Sequence, residues 1–122
     1  MTLRILLVDD TKAHLALAQH ALKALPDLDV VSEERPAIAV GRLEKENFDL
    51  VVTDLVFPSR LSGIDVAYVA TAHHIPVVII SGSYQRVQNG IPQYEKPLRF
   101  DDWCAMFAEI VESVRPPLRA VG

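Results

Sequence analysis

Apolar positions along the chain follow two rhythms in turn. Short, nearly unbroken apolar runs occur at LRILLVD (Leu3 to Asp9), LDVVS (Leu28 to Ser32), FDLVVTD (Phe48 to Asp54) and IPVVIIS (Ile75 to Ser81), with a weaker one at Ile91 to Glu95. Continuous runs of this kind, rich in β-branched residues, predict strands of a parallel sheet covered on both faces. Between them the apolar positions recur at three and four residues. Leu15, Ala18, Leu22 and Leu25 mark the inner face of a helix over Lys12 to Leu25, with a second stripe at Leu17, Ala21 and Ala24. Asp10 or Thr11 can cap that helix. Pro36 suits the first turn of a second helix ending near Asn47, and a third runs from about Ile64 to His73. The last runs from Phe100 to Val114, with Trp103, Phe107, Ile110 and Val114 on its stripe.

Five strands alternating with helices predict an α/β, doubly wound parallel sheet with helices on both faces. In such sheets ligands sit beyond the carboxyl ends of the strands, near the point where strand order reverses. Strand one ends in Asp9 and Asp10, strand three in Asp54, strand four in Ser81 and strand five in Lys96. Asp54 is the conspicuous member. It interrupts the apolar run VVTDLVFP, where a carboxylate is costly to bury unless something pairs with it.

Three converging carboxylates repel one another, and burial disfavours their ionised forms further. A hard divalent cation relieves this, and Mg²⁺, which keeps several waters while taking one or two carboxylates, suits it best. Three aspartates, one such cation and the Lys96 ammonium sum to neutrality. A site so balanced can accept a phosphoryl group whose oxygens complete the metal's shell, with Asp54 as nucleophile.

Composition narrows the classes. The 122 residues fit one domain, half of them apolar, with a formal charge of −4 from 16 acidic and 12 basic residues. There is no basic run, which argues against direct nucleic-acid binding. No apolar run approaches the roughly 18 residues that cross a bilayer, so no membrane partner is expected. The single cysteine, Cys104, fits a reducing cytoplasm and a packing role. His14, His20, His73 and His74 show no metal spacing, and neither a Gly-rich nucleotide loop nor a G-x-S-x-G is present. The expected organisation is a cytoplasmic domain over residues 1–115, followed by a tail over 116–122.

Taken singly, each strand-end residue has an ordinary explanation: a helix cap, a turn residue, a Ser-Gly turn. In conjunction, the LLVDD doublet, the VVTDLVFP strand end, the ISG of strand four and the EKP before the last helix resemble a bacterial response-regulator receiver domain, over essentially the whole chain. The resemblance implies a flavodoxin-like five-stranded sheet of order 2-1-3-4-5, and roles for its residues. Asp54 corresponds to the phospho-accepting aspartate and Asp10 to the direct Mg²⁺ ligand. Asp9 corresponds to a ligand acting mainly through metal-bound water, and Val56 to the residue whose backbone carbonyl completes the set. Ser81 and Lys96 correspond to the groups that bind phosphoryl oxygens. A histidine kinase or histidine phosphotransfer protein would be the donor and a downstream protein the target, in a two-component system. Such a domain catalyses its own phosphorylation without being a turnover enzyme. The alternatives are a phosphorylation-independent scaffold and a receiver cut from a larger hybrid kinase or regulator.

This chain departs from the family in three places. Gly63 stands one residue late in the loop after Asp54. The segment SGSYQRVQNGIPQYE is short, so the helix between strands four and five is expected to be reduced or lost, which alters the usual signalling surface. The switch position three residues before Lys96 holds Gln93, with the aromatic Tyr94 one residue later, on the opposite face of a regular strand. Val56 and Ser83 occupy positions that influence dephosphorylation in the family, and valine cannot orient an attacking water.

Overall fold

The computed structural model describes residues 2–82 and 90–116. Within them the elements run β1 (Leu3–Val8), α1 (Lys12–Lys23), β2 (Leu28–Glu33), α2 (Pro36–Lys45), β3 (Leu50–Thr53), α3 (Gly63–Ala72), β4 (Val77–Ser81), β5 (Gln93–Glu95) and α4 (Phe100–Val114). The strands form one sheet in the order β2-β1-β3-β4-β5, and every neighbouring pair is parallel. The expected reduction of the helix between strands four and five falls on residues 83–89, outside the described residues. No helix among the described residues is long and apolar enough to cross a membrane.

Strand alternation divides the core in two. Ile5, Leu7, Leu50, Val52, Val78 and Ile80 face α1 and α4, meeting Leu15, Leu22, Trp103, Phe107 and Ile110. Leu6, Val8, Val51 and Ile79 face α2 and α3, meeting Ala39, Leu43, Val66 and Ala70. Phe107 is 1% exposed, and truncating it to alanine would cost about 3–5 kcal/mol.

The strands are shorter than the apolar runs, for identifiable reasons. β4 and β5 begin after Pro76 and Pro92, which have no N–H to give the ladder. Their carbonyls still accept, from the amides of Val51 and Ile79, each at 2.9 Å. β3 begins after Asp49, whose carboxylate takes the Arg4 amide at 2.8 Å in place of a ladder carbonyl. α1 ends at Lys23, because Ala24 and Leu25 donate to carbonyls three residues back, in a tightened last turn. Thr11 is the N-cap residue of α1 without a side-chain cap bond. Its own amide donates instead to Asp9 Oδ1 at 2.9 Å. The second stripe of α1 needs correction: Ala21 is 1% exposed and belongs to the core, while Leu17 packs against that core. The apolar surface of α1 lies at Ala13, Ala16, Leu17 and His20, beside Phe100 of α4.

The loop from Asp54 to α3 is built tightly. Leu55 and Phe57 turn inward, 4% and 7% exposed, and Val56 turns outward at 60%. Ser62 caps α3 by accepting from the Ile64 amide at 3.2 Å, while Asp65 Oδ2 accepts from the Ser62 amide at 2.6 Å, a reciprocal capping box. Gly63 donates to the Leu55 carbonyl at 2.9 Å. A Cβ on Gly63 would lie 1.7 Å from the Asp54 carbonyl oxygen and 2.7 Å from its carbon. The late glycine therefore fits the longer loop, seating α3 against the backbone of Asp54. Gly63→Ala is expected to lower stability by about 1–3 kcal/mol, despite alanine's better helix propensity. A urea midpoint at or above the wild-type value would contradict this packing constraint.

Candidate functional site

β1 lies between β2 and β3, so strand order reverses at the carboxyl ends of β1 and β3. The register pairs Val8 with Thr53, which sets Asp9 beside Asp54 one residue later. Parity then fixes their side. Asp9 continues Ile5 and Leu7, Asp54 continues Leu50 and Val52, and Lys96 continues Tyr94, so all three fall on the α1/α4 side. The Asp54 amide extends the ladder by donating to the Val8 carbonyl at 2.8 Å. Thr53, wholly buried, donates its hydroxyl to the Asp54 carbonyl at 2.8 Å.

Lys96 is the hub. Its ammonium lies 2.8 Å from Asp9 Oδ2 and 3.1 Å from Asp54 Oδ2, with side-chain exposures of 9% for the lysine and 12% for each carboxylate. Charges this poorly hydrated are tolerated only when paired. The remaining oxygens are held by backbone: Asp9 Oδ1 by the Thr11 amide at 2.9 Å and Asp54 Oδ1 by the Leu55 amide at 2.7 Å. The Lys96 amide donates to the Ser81 carbonyl at 2.7 Å, which ties the ends of β4 and β5 together. Ser81 itself is 3% exposed.

Asp10 is exposed, yet one oxygen from each of Asp9, Asp10 and Asp54 lies within 4.8 Å of the other two. Three carboxylate oxygens at this spacing, with lone pairs beyond those the lysine and amides use, fit a hard divalent cation such as Mg²⁺. Beneath the site is a pocket of about 20 Å³ lined by Leu7, His14, Val52, Ile80 and Trp103, room for one water. Anything larger must approach Asp54 from outside the sheet edge.

The Asp54 carboxyl is pushed above the ordinary range, chiefly by burial; Lys96 opposes this, Asp9 adds to it, and the Leu55 amide again opposes it. Burial thus disfavours the ionised form of Asp54, and its lysine works against that penalty.

Sequence reasoning brought Asp9, Asp10, Asp54 and Lys96 together, and so does the structure, with Ser81 joined to Lys96 through backbone. It missed His14, whose Nδ1 is 2.8 Å from the Lys96 ammonium. It also missed Trp103 as part of the site: the indole donates to the Pro97 carbonyl at 3.0 Å and its ring centroid lies 6.0 Å from that of His14. A usable signal existed, since His14 immediately precedes the core residue Leu15 at the end of α1 nearest the strand ends. Cys104 packs partly buried against the same core, and His73 is the C-cap of α3. Tyr94 packs against the α1/α4 core opposite Ile80, whereas Gln93 pairs with Ile79 on the other face.

A doubly wound sheet with an acidic cluster at its switch point and a lysine reaching it from the last strand defines a receiver-type domain. The chain belongs to the response regulator receiver domain family, whose model matches residues 5–92, including Asp9, Asp10, Asp54, Val56 and Ser81. Solved structures agree. The phosphorylated cyanobacterial phytochrome response regulator RcpA is 25% identical with a TM-score of 0.77, covering 93% of this chain and 94% of its own. A response regulator receiver protein from Sinorhizobium medicae is 26% identical with a TM-score of 0.77, covering 93% and 98%. The response regulator domain of Thermotoga maritima CheB shares the fold at 20% identity, with a TM-score of 0.79 and coverage of 93% and 96%. Among curated protein sequences, none matches the chain.

The raised Asp54 value carries a sign. In acid the carboxyl is protonated whether the chain is folded or not. As pH rises, the unfolded chain loses this proton first, so stability falls until the folded carboxyl ionises too. In metal-free buffer Asp54→Asn is therefore expected to be more stable than wild type at about pH 7, with the gain shrinking toward about pH 4. Urea midpoints of the two proteins at both pH values check this, and a gain that grows in acid would contradict it.

Proposed function

We propose that the chain is a phosphorylation-controlled switch: Asp54 accepts a phosphoryl group from a histidine kinase or histidine phosphotransfer protein, and the acylphosphate changes a surface that a downstream protein reads. The observation that carries this reading is the contact of Asp54 Oδ2 with the Lys96 ammonium at 3.1 Å, inside a cluster of three aspartates. The solved cyanobacterial relative is itself a phosphorylated protein.

Asp9, Asp10 and Asp54, with the backbone carbonyl of Val56, would hold Mg²⁺. When bound, the ion would supply positive charge against phosphoryl oxygens. The protein's part is orientation. The Leu55 amide and Lys96 fix both carboxylate oxygens, and the loop side of Asp54 opens outward at Val56. Transfer breaks the N–P bond of the donor's phosphohistidine, forms an O–P bond to Asp54, and leaves the imidazole to take up a proton. Lys96 then exchanges a carboxylate oxygen for a phosphoryl oxygen, and the Ser81 hydroxyl is the neighbouring donor for another. The added charge and acceptor oxygens bias the ends of β4 and β5 between two arrangements. The groove of Ala13, Ala16, Leu17, His20 and Phe100, beside the strand ends, is the surface we assign to a donor helix. We assign no part in switching to rotation of Tyr94, which is anchored in the core face away from the Ser81 side of the sheet.

Incubation with a small phosphoramidate is expected to give a slower band on a phosphate-affinity gel, dependent on Mg²⁺ and absent from Asp54→Ala. No shifted band under any condition would favour the phosphorylation-independent scaffold. Val56, 60% exposed and apolar, offers no hydrogen bond to an attacking water. Val56→Asn is expected to speed phosphoryl loss severalfold, followed by the decay of that band once the donor is removed. An unchanged decay would remove Val56 from the control of lifetime.

A further inference from the structure

The geometry points to His14 as a positioning residue for Lys96, held in place by Trp103. An ammonium has three hydrogens to donate. Here they meet three acceptors: Asp9 Oδ2 at 2.8 Å, Asp54 Oδ2 at 3.1 Å and His14 Nδ1 at 2.8 Å. To accept from an ammonium, the imidazole carries its proton on Nε2 and is neutral. Asp9 Oδ2, at 3.8 Å from His14 Nδ1, lies beyond hydrogen-bond distance and leaves that nitrogen to Lys96.

The three partners differ in what they do during the proposed reaction, on which this inference rests. Asp9 and Asp54 are the residues a cation and a phosphoryl group would engage, so their hold on Lys96 changes at each step. His14 lies outside that set. It is the partner whose contact can persist while the ammonium moves from carboxylate to phosphoryl oxygen.

The support for His14 is also local. Its ring lies 6.0 Å from Trp103, tilted by 33°. Trp103 is 3% exposed and donates to the carbonyl of Pro97, the residue directly after Lys96. Trp103 therefore holds the backbone beside Lys96 through its indole N–H, and borders the imidazole that holds the ammonium. Neutral His14 adds this contact without adding negative charge to an already acidic cluster.

A ¹⁵N-lysine-labelled sample tests this directly. Lys12, Lys23 and Lys45 are exposed, so one slowly exchanging ammonium signal is expected in metal-free protein, assigned by its loss in Lys96→Arg. The signal is expected to vanish in His14→Leu and persist in His14→Asn, whose Oδ1 stands near the position of Nδ1. Circular dichroism verifies that both variants are folded. Phosphoryl uptake from phosphoramidate is expected to slow about fivefold to tenfold in His14→Leu and to recover largely in His14→Asn. A signal that persists in His14→Leu would overturn the proposal. So would its equal loss from both folded variants, or equal uptake rates in His14→Leu and wild type. If wild type takes up no phosphoryl group while the ammonium signal still follows His14, the phospho-acceptor reading falls and the positioning contact stands.

Discussion

The site depends on placing one ammonium between two carboxylates where water is scarce. At side-chain exposures of 9% to 12%, Lys96, Asp9 and Asp54 could not each be ionised alone. Together they are stable enough to persist but remain poised. Asp9 and Asp54 repel, the lysine offsets part of that repulsion, and the Asp54 carboxyl stays raised above its ordinary range. A pair of this kind is a weak source of stability. The structure therefore invests its stability elsewhere, in the two apolar layers on either side of the sheet, and holds the charged cluster at the edge with backbone hydrogen bonds.

Bringing those charges together requires four strands to agree in register and parity. Val8 opposite Thr53 puts the aspartates side by side. Ser81 opposite Glu95, with the Lys96 amide bound to the Ser81 carbonyl at 2.7 Å, puts the lysine one step past the same edge. A one-residue slip in β5 would send Lys96 to the α2/α3 side. The very short β5 is thus pinned at both ends, by the Pro92 carbonyl at its start and Lys96 at its finish.

Much of this is legible in the amino-acid sequence. Nearly continuous apolar runs marked the strands, and the identity of the residue ending each run marked Asp9, Asp54, Ser81 and Lys96, because a parallel sheet delivers all strand ends to one edge. What escaped was set by contacts between distant segments. His14 is 82 positions from Lys96, and no periodicity links them. Leu17 and Ala21 read as an outer stripe of α1, yet Ala21 is buried because α4 closes over that side of the helix. The starts of β4 and β5 were placed early because proline withholds its N–H from the ladder, and that of β3 because the Asp49 carboxylate takes the Arg4 amide. Gly63 looked like a loop irregularity, and its need became visible only when α3 was seen seated on the Asp54 carbonyl.

The offset of Tyr94 bears on how such a site could communicate. In a regular strand a side chain cannot serve both faces, and Tyr94 is committed to the α1/α4 core, where burial and Glu109 both raise its phenol's pKa. An inward rotation toward Ser81 would require β5 to turn over, carrying Lys96 out of the site with it. The route that the observed bonds leave open is shorter. The head of Lys96 is bound to Asp54, its amide to Ser81, and the next carbonyl, that of Pro97, to Trp103 of α4. On the proposed reading, a change in what Lys96 binds at Asp54 pulls on β4 and on the start of α4 through these bonds. The lysine that neutralises the site is then also the element that carries its state outward.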